Sequence, residues 1–243
     1  MSFLLPAVLG ALGCWANPTA ALVPPVFQAG RVYTYQAVVV SPRGDTLSRE
    51  RVTITPTGRP WRYQKKLQTG LAVRYAYSVQ DSLTFLAHPS PLTQKITAPK
   101  PYAWVKALET GAIENPQQVW MHPLRDNQYV YTEIAPYPQV KLDSLVLGGA
   151  WHNRLDILMG WGAFNGHTTS QYRVVKRETK RYGALVAADC WFIQAQSQHS
   201  RLGTSYLDFY FHPAYGFVEM QYRCFDGTRI SFVLAQVTDP RQG

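Results

Sequence analysis

The chain has 243 residues, of which 46% are hydrophobic, 13% aromatic and only 16% charged. That is enough apolar material for one large core, and it excludes intrinsic disorder, coiled coils and solvated helical bundles. Lys and Arg outnumber Asp and Glu by 24 to 15, which suits anionic partners, yet no recognition helix, zinc-finger spacing or RNP-like aromatic motif accompanies the charge, so nucleic acid is not an expected partner.

Phe3 to Ala16 (FLLPAVLGALGCWA) is an apolar stretch of signal-peptide length, too short to span a bilayer. Small residues at Cys14 and Ala16 suit cleavage after Ala16. Residues 1–16 then read as a signal peptide, 17–30 as a lead-in and 31–240 as a single β-rich domain. Met1-Ser2 carries no cationic side chain, and Ala11-Leu12-Gly13-Cys14 is a loose lipobox, so lipid anchoring at Cys14 is the alternative to simple cleavage. Both routes predict an exported protein of the periplasm, cell envelope or exterior.

Arg31 to Val40 is rich in β-branched and aromatic residues and predicts a strand. Ser41 to Asp45 is a turn cluster, Thr46 to Thr55 a second strand, and Thr57-Gly58-Arg59-Pro60 another turn. Trp61 to Gln68 and Leu71 to Val79 continue the meander. Pro89, Pro91, Pro99 and Pro101 mark a loop. Tyr102 to Thr110, closed by Gly111, is the best short helix. Asn115 to Asn127 reads as loop, Tyr129 to Ile134 as a strand, Trp151 to Leu158 as a strand and Met159 to Gly162 as a tight turn. Thr168 to Thr179 and Leu185 to His199 are strands, with three more to the C-terminus. The basic run Arg173 to Arg181 reads as a solvated strand face. The expected fold is mainly β: a curved antiparallel sheet or half-open barrel with one or two short helices.

The last four strands can be registered. Arg201-Leu202-Gly203 and Phe225-Asp226-Gly227 both suit three-residue hairpin loops with a left-handed Gly at the end. Ser200 then faces Thr204, Ala195 meets Phe209 and Ile193 meets Phe211. Cys224 faces Thr228, Tyr222 meets Ile230, Met220 meets Phe232 and Val218 meets Leu234. Joining them needs a loop of about six residues, His212 to Phe217, so that Leu207, Phe209 and Phe211 share a face with Val218, Met220 and Tyr222. In this register Cys190 and Cys224 fall on opposite faces, on the order of 30 Å apart, which predicts no bridge between them.

Chemistry-bearing motifs are scarce. There is no G-x-S-x-G, H-E-x-x-H, P-loop, G-x-G-x-x-G or zinc-ligand spacing, so no cofactor or metal is implied. His152 and His167 flank the Trp161 turn and, with Asp126, form the one candidate acid–base site, that of a hydrolase. The simpler reading leaves the histidines functionless, with His199 and His212 exposed near strand ends, and gives Asp126 and Glu133 a surface salt bridge with Arg125. The aromatic load is the unusual feature. Trp104, Trp120, Trp151, Trp161 and Trp191, with Tyr129, Tyr131 and Tyr137, either line a cavity in a curved sheet or serve as ordinary core. Trp120, Tyr131, Trp151 and Trp161 are the candidate ligand-binding residues.

Phe211-His212-Pro213-Ala214-Tyr215-Gly216-Phe217-Val218-Glu219-Met220-Gln221-Tyr222, followed by Asp226-Gly227 and Ile230, resembles the closing hairpins of uncharacterised exported β proteins from Bacteroidota. The resemblance covers the C-terminal third. The layout is also similar to periplasmic lipoprotein carriers, in which a curved sheet half-closes around a helical lid, an analogy of fold that transfers no site residue. The leading expectation is a non-catalytic protein binding an amphiphile, lipid-linked partner or envelope component in a concave aromatic face, with peripheral contact to the envelope. The alternatives are the hydrolase and a structural or assembly module of the envelope that offers a sheet edge.

Overall fold

The computed structural model describes residues 25–61, 67–87, 104–157, 161–182 and 185–240. The expected signal peptide, the lipobox at Cys14, most of the 17–30 lead-in and part of the Met159–Gly162 turn lie outside the described residues.

Alternation of apolar and polar residues dictates the architecture. β1 (Val32–Val40) turns Tyr33, Tyr35, Ala37 and Val39 inward, and the same period runs through β2 (Thr46–Pro60) and β3 (Thr69–Ala76). β4 (Ala107–Asn115), β5 (Gln118–Met121) and the three-residue β6 (Gln139–Lys141) extend that side of the sheet. β7 (Ala150–Ile157), β8 (Gly166–Tyr182), β9 (Leu185–His199), β10 (Gly203–His212), β11 (Gly216–Arg223) and β12 (Arg229–Thr238) build the other side. The strand order is β6-β5-β4-β3-β2-β1-β12-β11-β10-β9-β8-β7, antiparallel throughout. The first and last strands are therefore paired mid-sheet. The sheet curls into a nearly closed barrel, and its one unsealed seam falls between β6 and β7. A mainly β, half-open barrel is what the strand pattern predicts.

The barrel is filled from within. Pro123 and Pro136 bracket a 3₁₀ segment, Asn127–Ile134, whose eight residues are all buried. Tyr129 packs on Tyr75 and Phe232, while Tyr131 packs on Phe164 and Phe225. The expected strand at Tyr129–Ile134 is thus a plug. Its start is held by Asn127, whose side-chain amide donates to the Val105 carbonyl and accepts from the Val105 amide, as a neighbouring strand would. Burial on every side erases the two-residue period by which a strand is recognised.

Other expectations are corrected. The helix is not at Tyr102–Thr110: Ala107–Asn115 is β4, in which Leu108 and Thr110 pair with Val73 and Leu71. The helix is α1 (Val79–Leu86), opened by reciprocal bonds between Ser78 and Asp81, a short capping box. The Asn115–Asn127 loop contains β5, and the Thr57–Pro60 turn lies within β2, as a register shift between Pro56 and Pro60.

The β11–β12 hairpin has the expected register, with Tyr222 opposite Ile230 and Met220 opposite Phe232. The β9–β10 hairpin is displaced by two residues: Ala195 meets Leu207, Ile193 meets Phe209, and His199 faces Gly203. The reason is His199, whose Nδ1 accepts the amides of Arg201 and Leu202 and closes the loop one residue early. A two-residue shift keeps every side chain on its expected face. His199 itself is buried, not exposed, with Nε2 donating to the Phe164 carbonyl. The β10–β11 loop is shorter than expected, since His212 pairs with Gly216. A register shift between Tyr210 and Phe211 then returns Met220 and Tyr222 to the inner face. Cys190 and Cys224 are both buried, with no disulfide between them.

Candidate ligand-binding site

The seam is an overlap. Asn153, Leu155 and Ile157 face inward on β7, in register with Ser170, Thr168 and Gly166. On β5 and β6, Val119, Met121 and Val140 belong to the core, so Gln118, Trp120, Gln139 and Lys141 occupy the outer face. Both sets line one cleft of about 490 Å³. The inner face of β7 therefore rides over the outer face of β5 and β6, as the edges of a scroll do. Across the overlap the Tyr172 hydroxyl donates to the Tyr137 carbonyl at 2.9 Å.

Aromatic rings form the floor. The His122 imidazole lies 4.6 Å from the Trp120 ring, 4.9 Å from Trp61 and 5.8 Å from Tyr137, centroid to centroid. Trp61 reaches this position because β4 carries Gly111 beneath it; a Cβ there would stand 2.3 Å from the indole and 2.1 Å from Gln68 Oε1. Desolvation, aided by the Arg125 charge, pushes the His122 pKa down to about 3, so the imidazole is neutral. A base that weak is poorly matched to proton abstraction near neutral pH.

Behind the rings, Arg125 Nη1 donates to Glu133 Oε2 at 2.8 Å and lies over the Trp161 ring. The expected Arg125–Glu133 pair is present, but it is no surface bridge: the Glu133 side chain is 6% exposed. Burial raises the Glu133 pKa, against the pull of Arg125. A relay of amides lines the other wall. Lys141 Nζ and Gln139 Nε2 both donate to Gln118 Oε1. Gln139 must therefore present its nitrogen to Gln118, which leaves Gln139 Oε1 free. That atom and Gln68 Oε1 are buried with no hydrogen-bond partner among the described residues.

The four candidate ligand residues separate. Trp120 and Trp161 line the seam cleft. Trp151 stacks on Tyr172 at 5.2 Å and lines a second, more open groove of about 960 Å³, shared with His152, Arg173, Tyr206, Asp208 and Arg223. Tyr131, like Tyr129, fills the lumen instead of lining a cavity. Trp104 packs on Tyr77, and Trp191 lies under Arg177, paired opposite Phe211. On the other face of the sheet Lys176 stands over Phe192 and Lys180 over Tyr210, so the basic run covers rings as well as meeting solvent.

The hydrolase constellation does not converge. His167 faces Asp156 across the β7–β8 ladder, and His152 faces Gln171, four residues or about 13 Å along the strand. Asp126 stands at the start of the plug. The three share no hydrogen bond or ring contact among the described residues. Sequence reasoning missed Trp61, His122, Gln68 and Gln139. The only local signals were Gly111, misread as a helix terminus, and the Trp-x-His spacing of Trp120 and His122.

These features define a plugged antiparallel β-barrel with a lateral aromatic cleft. Among solved structures the chain is similar to one from Bacteroides fragilis NCTC 9343, a protein of inferred export whose fold is described as YmcC-like. The identity is 11% and the TM-score 0.52, over 88% of this chain and all of that one. A second, from Parabacteroides distasonis ATCC 8503, is classed by inference as a lipoprotein; it is 10% identical, with a TM-score of 0.46 over 87% of this chain and 96% of that one. No family model and no curated protein matches the chain. The first likeness establishes a shared fold.

Proposed function

We propose that the protein is an exported, non-catalytic binding module of the cell envelope that holds an envelope component in the seam cleft. The observation that carries this reading is the gathering of Trp61, Trp120, Trp161, His122 and Tyr137 at the barrel's one open seam, while the lumen is filled by the plug. Rings collected where the sheet leaves its edges apart form a concave surface with a few fixed polar groups, the usual composition of a ligand pocket. Export is supported by the leader-like Phe3–Ala16 segment and by a fold similar to that of a protein of inferred export. The neutral His122 and the separation of His152, His167 and Asp126 favour binding over hydrolysis.

Native mass spectrometry of the protein purified from its own envelope fraction tests this. The expected spectrum shows a discrete adduct, released on denaturation and absent from the Trp120→Ala/Trp161→Ala variant. An adduct-free spectrum, or an adduct unchanged in that variant, would sink the reading. The same spectrum separates cleavage after Ala16 from a lipidated Cys14 by mass.

A further inference from the structure

Resting on the assignment of binding to the seam cleft, we infer that the ligand is an uncharged saccharide, its ring faces laid on Trp120 and Trp161 and its hydroxyls donating to Gln68 and Gln139. Three observations carry this. The first is electrical. Among the described residues the cleft's charged side chains are Arg125, Lys141, Glu133 and Asp156, two of each sign. Arg125 is bound to Glu133, and Lys141 to the Gln118 amide. Among the described residues these charges balance, leaving no net positive charge to draw a phosphate or carboxylate, although the chain as a whole carries a formal +9.

The second is the sense of the free polar atoms. Gln68 and Gln139 are 7% and 4% exposed, and both line the cleft. Their unpartnered oxygens are acceptors, and the Lys141–Gln118–Gln139 relay holds Gln139 in that orientation. A buried acceptor without a donor is costly, so these positions select a ligand bearing hydroxyl or amide donors and discriminate against an alkyl chain.

The third is shape. An amphiphile's hydrocarbon needs an enclosed apolar tunnel, and the lumen that would supply one holds Tyr129, Tyr131 and Ile134. The seam offers an open cleft walled by flat indoles and amides. Such a surface suits the alternating C–H faces and hydroxyl rims of a sugar.

The experiment is a titration of the purified full chain, followed by tryptophan fluorescence and saturation-transfer NMR. The probes are uncharged tetrasaccharides of glucose, mannose, galactose and N-acetylglucosamine, with tetragalacturonate and phosphatidylglycerol vesicles as anionic comparators. At least one uncharged tetrasaccharide is expected to bind, with an affinity unchanged between low and high salt. Trp161→Ala and Gln139→Leu are each expected to weaken it about tenfold or more, a loss of ~1.4 kcal/mol. Trp161→Phe should retain part of the affinity, and near-UV circular dichroism checks that each variant is folded. Binding of the anionic probes alone, weakened by Trp161→Ala, would overturn the uncharged saccharide and leave the seam site standing. Binding that survives both Trp161→Ala and Gln139→Leu would overturn the site as well. No binding of any uncharged tetrasaccharide, beside a native adduct that maps to the seam, would overturn the sugar alone.

Discussion

Glu50 is an acidic side chain inside an apolar barrel, 5% exposed. Its Oε1 accepts from Gln128 Nε2 and the Tyr129 hydroxyl, which ties β2 to the plug, while Oε2 has no partner among the described residues. Desolvation pushes its pKa from 4.5 up to about 7, despite those two donors. A raised folded-state pKa means the folded state holds the proton more tightly. The contribution to stability is therefore fully present below pH 4.5 and is lost as pH rises through about 7. The loss is on the order of 3 kcal/mol. Glu50→Gln should raise Tm by several degrees at pH 8 and differ little from wild type near pH 4, as read by calorimetry. A Tm difference independent of pH would show that Glu50 does not titrate in the plug.

The Arg125–Glu133 pair makes a different prediction, because both partners are largely withdrawn from water. Arg125→Met leaves the Glu133 carboxyl buried without its cation and should cost about 3–5 kcal/mol in urea unfolding. Arg125→Met combined with Glu133→Leu should recover most of that loss. Equal losses in the single and double variants would mean the pair's cost is one of packing alone.

At the scale of elements, hydrophobic period was legible wherever a segment has one wet face. β1, β7 and β9 lie within a residue or two of their expected bounds, and Leu207, Phe209 and Phe211 share a face with Met220 and Tyr222 as the alternation requires. The plug and β4 were not legible, for opposite reasons. The plug is buried all round and has no period to read. In β4, Gly111 after Leu108 imitates a helix stop, whereas the glycine serves to let Trp61 and Gln68 lie flat on the strand. Gly111→Ala should therefore push Trp61 off β4, destabilise the fold by roughly 1–3 kcal/mol and red-shift the tryptophan emission. Unchanged emission would mean that Trp61 does not rest there. The β9–β10 register shows how one side chain overrides a loop rule: the glycine of that loop has its left-handed φ of 109°, yet the His199 ring moves the pairing by two residues.

For the whole molecule, closure decides where stability is highest. β1 and β12, about as far apart in the chain as two strands can be, are paired along nearly their full length at the middle of the sheet. β6 and β7, next to each other in sequence, are its two ends. Hydrogen exchange should therefore be slowest in β1, β11 and β12 and fastest among the strands in β6 and β7, since an edge strand lacks one neighbour's hydrogen bonds. Equal protection at the seam and at mid-sheet would indicate a seam closed in solution. Most of the strands outside β4 to β6, their inward faces and one of the two hairpin registers follow from the sequence alone, because alternation and turn chemistry act over a few residues. The plug, the scroll-like overlap and the cleft were decided only by tertiary structure. Trp61, Trp120 and Trp161 come from separate segments, and nothing local to any of them records that the curling of twelve strands brings the three together.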